Sequence, residues 1–313
     1  MINFRFHVVS LIAIFLALAL GVVIGAGVID RGVVDALDSR LDRVQSRSDR
    51  IEAENGVLSA RNSQQNDMIV DLQPHAVSEQ LFGDDMGVVA VRGVDGDRVS
   101  ALVTAAQQAD ATATGTLWLE DKWALAGADD VEALQTALGS TTKNKNALRA
   151  EGWRQLAERL SAPALEGEGD TSNDLLTVLQ DAGFLGFDGV EGSAITDFPG
   201  RGAGIVLVVG TEGAVPADQV VMPMTTALRA SDVPTVVADV WVDATDGPAR
   251  AEALQPLRDS QLTTTVSSVD DLDQPEGPTT VVLAMSDLFL TPPVAGKYGY
   301  GPEAQPLPDP VNA

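Results

Sequence analysis

Few residue types in this chain could do chemistry, and their positions limit what that chemistry is. His7 and His75 are the only histidines, and there is no cysteine. Zinc and copper sites built on imidazole or thiolate need several such ligands converging. His7 lies at the edge of an apolar run and His75 at the base of a separate helix, so one chain does not assemble such a site. A nucleophile–His–acid triad is likewise excluded beyond His75. The absence of cysteine removes disulfides and thiolate nucleophiles.

The one thioether pair is Met222 and Met224, separated by Pro223. Methionine sulfur is a soft ligand suited to Cu(I), and two such ligands need a third. The same residues also read as two methionines in a loop between a strand and a helix. Adjacent carboxylates occur at Asp84-Asp85, Asp129-Asp130 and Asp270-Asp271. They are accounted for by loops and helix starts, where negative charge meets free backbone N–H groups. Gly186–Gly192 and Gly200–Gly204 are glycine-rich, but neither has a P-loop sequence or sets G-x-G-x-x-G between a strand and a helix. No catalytic residue emerges, no cofactor is called for, and the chain reads as a non-enzyme.

The elements that carry these residues begin with a membrane anchor. Val8 to Ile29 contains no charged residue, and Ser10 is its one residue that is neither apolar nor glycine. As a helix this run is about 33 Å long, enough to cross a bilayer core. It exceeds a signal-peptide core of about 7–15 residues. An Ala17-Leu18-Ala19 cleavage site is read as unused, because the apolar run continues past it. Arg5 on one flank, against Asp30 with Arg31 on the other, places the N-terminus in the cytoplasm and the bulk of the chain outside. Ala13, Ala17, Gly21 and Gly25 recur every four residues, a small-residue stripe of the kind that pairs membrane helices. Ala and Gly are also simply common in such spans.

From Val34 the period changes to alternating threes and fours. Val34, Leu37, Leu41, Val44, Ile51, Asn55, Leu58, Asn62, Ile69 and Leu72, with Ser48 and Gln65, keep an unbroken a/d heptad register. Asn55 and Asn62 fall at a, where buried asparagine costs stability and favours a parallel, in-register dimer. The segment is expected to form a homodimer or half of a mixed coil, ending at Pro74. Its other reading is a single helix packed on its own domain.

Beyond Pro74, Val-rich runs at Gly87–Val91, Thr116–Leu119, Ile205–Val209, Thr235–Val240 and Thr279–Met285 read as strands. Helices are expected at Asp97–Ala109, Val131–Leu138, Leu148–Leu160, Leu175–Asp181 and Ala249–Arg258. This pattern predicts an α/β domain with a mostly parallel sheet and helices on both faces. About 120–200 reads as a helical insertion, and Glu166–Asp174 as an exposed loop. The expected division is 1–33 cytoplasmic end and span, 34–73 coiled coil, 74–290 extracytoplasmic domain, and 291–313 an extended or disordered Pro/Gly-rich tail. Most of the net charge of -25 lies in the distal part. It excludes nucleic acid as a partner and repels anionic headgroups.

Four blocks resemble one family. Met1-Ile2-Asn3-Phe4-Arg5-Phe6-His7-Val8-Val9-Ser10-Leu11 with the apolar span to Gly25, Asp181-Ala182-Gly183-Phe184, Val269-Asp270-Asp271-Leu272-Asp273 and Lys297-Tyr298-Gly299-Tyr300-Gly301 occur in the order seen in actinobacterial MctB-like proteins. The resemblance covers nearly the whole chain. It implies a role in copper transport or copper homeostasis, or, as in the SteB-like branch, in division through control of a cell-wall hydrolase. It supplies no ligand or catalytic residues. A helical envelope protein is the partner that the coil and the resemblance together suggest.

Overall fold

A computed structural model describes residues 4–163, 173–190, 192–243 and 247–308, apart from the side chains of 26–34. The chain divides into two compact units, 1–66 and 67–313.

The first unit is one helix. Helix α1 runs Phe4–Val77, and its last turns belong to the second unit. Within it, Phe4–Gly25 is long and apolar enough to cross a membrane, with mean hydropathy 2.9 and none of its surface buried in the protein. The helix does not stop at Pro74 as expected, but continues to Val77. Val77 is fully buried, and the Leu81 N–H donates to the Ala109 carbonyl at 2.9 Å. Tertiary burial thus holds the turn that proline alone would loosen.

Among the described residues, the second unit has seven strands and seven further α-helices: β1 (Met86–Val91), α2 (Gly96–Gln108), β2 (Gly115–Leu119), α3 (Ala128–Leu138), α4 (Lys145–Ser161), α5 (Leu175–Asp181), β3 (Leu185–Gly189), β4 (Gly204–Gly210), α6 (Ala217–Ala230), β5 (Thr235–Val240), α7 (Gln255–Arg258), β6 (Val266–Val269), α8 (Gly277–Phe289) and β7 (Lys297–Tyr298). The sheet order is β3-β2-β1-β4-β5-β6-β7. Among the described strands, only the β2–β3 pairing is antiparallel. Strands such as β1 and β5 are buried at every residue, which is why they read as continuous apolar runs rather than alternations. Helix α2 packs with α8, and α4 packs with α3, α5 and α6. The two groups cover the two faces of the sheet, as the α/β reading requires.

The 120–200 excursion is mainly helical, as expected. Its heart is Trp123 stacked on Trp153 at 3.9 Å, with Phe184 edge-on at 5.5 Å. Part of the Glu166–Asp174 loop, 166–172, lies outside the described residues.

Two further expectations are corrected. Thr279–Met285 is not a strand but the middle of α8, whose first turn carries Pro278. Nearly every residue of that helix is buried, so no polar face was left to show a helical period. The strand in that region is β6, Val-Ser-Ser-Val, disguised by Ser267 and Ser268. The tail beyond Thr291 is not extended or disordered throughout: Lys297–Tyr298 pairs in parallel with Ser268–Val269, and Tyr298 is buried.

Candidate functional site

In doubly wound sheets, ligands bind outside the carboxyl ends of the strands where the order reverses. Here that point lies between β1 and β4. Backbone fills it. The Ala214 N–H donates to the Arg92 carbonyl at 2.7 Å. Gly93, at φ +98°, lies so close to the Glu212 carbonyl that a Cβ would overlap it. The sequence had no phosphate-binding motif, and the fold closes the corresponding crevice.

The open space lies one strand over, at the ends of β4 and β5. A cavity of about 390 Å³ is lined by Thr211, Val221, Met222, Asp239, Trp241 and Pro256, among others. Asp239 and Trp241 line it and the intervening Val240 does not, as alternation along a strand demands. Asp239 is only 2% exposed, and its Oδ1 has no hydrogen-bond partner. Burial pushes its carboxyl up to about 7, reinforced by Asp270 and Asp273 and opposed by Arg250 and Arg258.

Beside the cavity, the end of β6 carries a network of buried charges. Arg258 Nη1 lies 2.7 Å from Asp270 Oδ2, and both side chains are almost completely buried. Asp270 also accepts the backbone N–H groups of Tyr300 at 2.7 Å and Gly301 at 3.0 Å. Arg258 donates to the Tyr298 carbonyl and to Ser268 Oγ, both at 3.0 Å. Gly299 has φ +113°, and a Cβ there would overlap Asp270 Oδ1. The pair therefore clamps the tail to β6, and glycine is required where the tail crosses it. Arg250 donates to both Asp273 oxygens at 2.8 Å and stacks 4.5 Å above the Trp241 ring. Asp271 is also buried, and desolvation, then Glu276 and Asp270, push it up to about 7. Tyr300 donates its hydroxyl to Glu276, which helps push it up to about 12.

The residues singled out from sequence are not brought together here. Met222 and Met224 stand two residues apart on α6, not in a loop. That spacing turns them about 200° around the axis, to opposite sides of the helix. Met222 lines the cavity and Met224 is fully buried. Among the described residues, no group of three or more His, Asp or Glu side chains could hold a metal ion. Ala13, Ala17, Gly21 and Gly25 are exposed along the apolar helix. Leu37, Leu41, Val44, Ile51, Leu58 and Leu72 are between 46% and 67% exposed, and Asn55 and Asn62 are exposed with them. Ile69 is partly covered, and the side chain of Val34 lies outside the described residues. Sequence reasoning missed Asp239, Arg250, Arg258 and Asp273 as a cluster. A buried strand ending in Asp, as Val-Val-Ala-Asp-Val does, was the available signal.

The model of the family described as "Copper transport outer membrane protein, MctB" matches residues 1–308. The chain belongs to the MctB family. Similar proteins include the copper transporter MctB of Mycobacterium tuberculosis H37Rv, 27% identical over 319 residues, 96% of this chain and 97% of the relative. The copper transporter MctB of Mycobacterium leprae is 27% identical over 315 residues, with the same coverage. Full-length coverage places the apolar helix, the long helix and the distal domain all within the family's pattern. Two of the four blocks that carried the resemblance, Val269–Asp273 and Lys297–Gly301, are the two sides of the Asp270 clamp.

Proposed function

We propose that this MctB-family chain is a non-enzymatic, single-pass membrane protein of the cell envelope. In this reading the N-terminus is cytoplasmic, the juxtamembrane helix pairs in parallel with a second copy, and the distal domain is held outside to engage envelope partners. The observation that carries the reading is the exposed apolar stripe from Leu37 to Leu72. An isolated helix in water has nothing to gain from such a stripe, whereas a paired one buries it. In a parallel pair, Arg47 at g meets Glu52 at e of the other copy, and Asn55 and Asn62 meet their own counterparts, fixing register.

The chain's lack of cysteine makes the test clean. Leu58→Cys at a d position should cross-link readily in membranes under mild oxidation. Ala60→Cys, at f on the outer face, should not. Equal cross-linking at both positions, or none at Leu58→Cys and Ile51→Cys, overturns parallel pairing.

A second reading, copper transport or copper homeostasis, is favoured by the family's description and by the names of the relatives. Copper would then be cargo. Met222 is the one soft ligand of the pair that reaches the cavity. Titration of Cu(I) into the full chain decides it: stoichiometric binding supports the reading, and its absence removes direct contact with copper.

A further inference from the structure

We propose that the cavity at the carboxyl ends of β4 and β5 binds a small organic cation, an amine or amidine on an apolar or aromatic body, with the Asp239 carboxylate as its counter-charge. The volume, about 390 Å³, falls in the range of about 300–1,000 Å³ usual for small-molecule sites. The walls are mainly apolar, with Val221, Met222 and Pro256 among them and the Trp241 ring at one side. The polar groups are one-sided. Asp218, Asp239 and Glu252 line the cavity, and among the described residues no Lys, Arg or His does. An anionic ligand would find no counter-charge there.

Two of the three carboxylates already have structural work. Glu252 Oε2 accepts the Ala249 N–H at 2.9 Å, and Asp218 sits in the first turn of α6. Asp239 has none: it is 2% exposed and its Oδ1 is without a partner. In its ionised form a carboxylate in so buried a place is costly unless a cation pairs with it. The nearby guanidinium groups do not serve, because Arg250 is taken by Asp273 and the Asp270 carbonyl, and Arg258 by Asp270. A bare metal ion fits poorly, since the described acidic side chains do not converge as a metal cluster. An organic cation satisfies both halves of the site, filling the apolar volume and pairing with Asp239. The site uses no part of the long helix and does not depend on its pairing.

Benzamidine, benzamide and benzoate have nearly the same shape and are cationic, neutral and anionic, so they separate charge from fit. Calorimetric titration of the full chain should show benzamidine binding at least about tenfold more tightly than benzamide, with benzoate not binding. Asp239→Asn should abolish that preference, bringing benzamidine to the level of benzamide. Met222→Trp, which fills the cavity from its partly exposed wall, should reduce binding of both, and it serves if the Asp239 variant does not fold. The proposal is overturned if the wild-type chain binds no benzamidine, if it binds benzamide equally well, or if both variants bind benzamidine like the wild type.

Discussion

Asp270→Ala is the perturbation with the largest consequence that the structure predicts. Asp270 is fully buried and its partner Arg258 is 2% exposed, with 2.7 Å between Nη1 and Oδ2. Truncating the acid leaves a guanidinium in the interior with no counter-charge, a change that costs about 3–5 kcal/mol in other proteins. It also takes the acceptor from the Tyr300 and Gly301 amides, which hold the tail on β6. These losses overlap, so about 3–5 kcal/mol is the expected total. All four tryptophans, at 118, 123, 153 and 241, lie in the 67–313 unit. Denaturant unfolding of the full chain followed by tryptophan fluorescence therefore reports that unit, with the apolar helix silent. As a control, Glu303→Gln loosens a pair with Lys297 whose acid is 80% exposed, and should cost under about 1 kcal/mol. The double variant Arg258→Met with Asp270→Leu should recover part of the loss, since no buried charge is left unpaired. It should not recover all of it, because the tail amides still lack their acceptor. If Asp270→Ala changes stability by less than about 1 kcal/mol, the clamp is not what holds the tail.

Other consequences follow from the same geometry. Gly299→Ala forces a side chain into a left-handed backbone at φ +113° and against Asp270, and should cost at least about 1–3 kcal/mol in the same assay. Asp239 and Asp271, both raised from 3.8 to about 7 in the folded chain, keep protons there that the unfolded chain releases. Their contribution is complete below about pH 4 and falls as pH rises towards 7, by up to about 1.4 kcal/mol per pH unit for each. Asp239→Asn should flatten that slope between pH 5 and 7, and an unchanged slope would refute the assignment. Trp123→Ala, removing a stacked and fully buried ring, should cost about 3–5 kcal/mol by the same fluorescence measurement. Met222→Leu with Met224→Leu should leave copper tolerance of cells carrying the chain unchanged, because the two sulfurs face opposite sides of α6. Raised sensitivity would restore them as ligands.

Much of the fold was legible because local pattern and final environment agree. Thr235–Val240 and Leu175–Asp181 appear where periodicity and flanking residues put them. The misreadings have separate physical causes, and the first is burial that erases amphipathic contrast. Helix α8 is β-branched and almost wholly interior, so Thr-Thr-Val-Val-Leu-Ala-Met looked like a strand. Strand β6 carries two serines satisfied by Arg258 and by the Gly296 N–H, and so was absent from the expected strands. Strand β3 was hidden by Gly186 and Gly189, which are needed where Glu120 and the Ser193 carbonyl come close. The carboxyl-end cluster was illegible for another reason. Asp239, Arg250, Arg258 and Asp270 are spread over 32 positions of sequence, and only the parallel pairing of β5 with β6 gathers them. The exposed stripe on α1 needed no tertiary information, since its heptad spacing is written in consecutive residues.

The most direct test of the central claim is the mass of the full chain in lipid nanodiscs, measured by light scattering for the wild type and for a variant carrying Leu37→Glu and Leu58→Glu. Self-association through the juxtamembrane stripe predicts two chains per particle for the wild type and one for the variant, with the tryptophan unfolding curve of the distal domain unchanged. One chain per particle in both, or two in both, would contradict it.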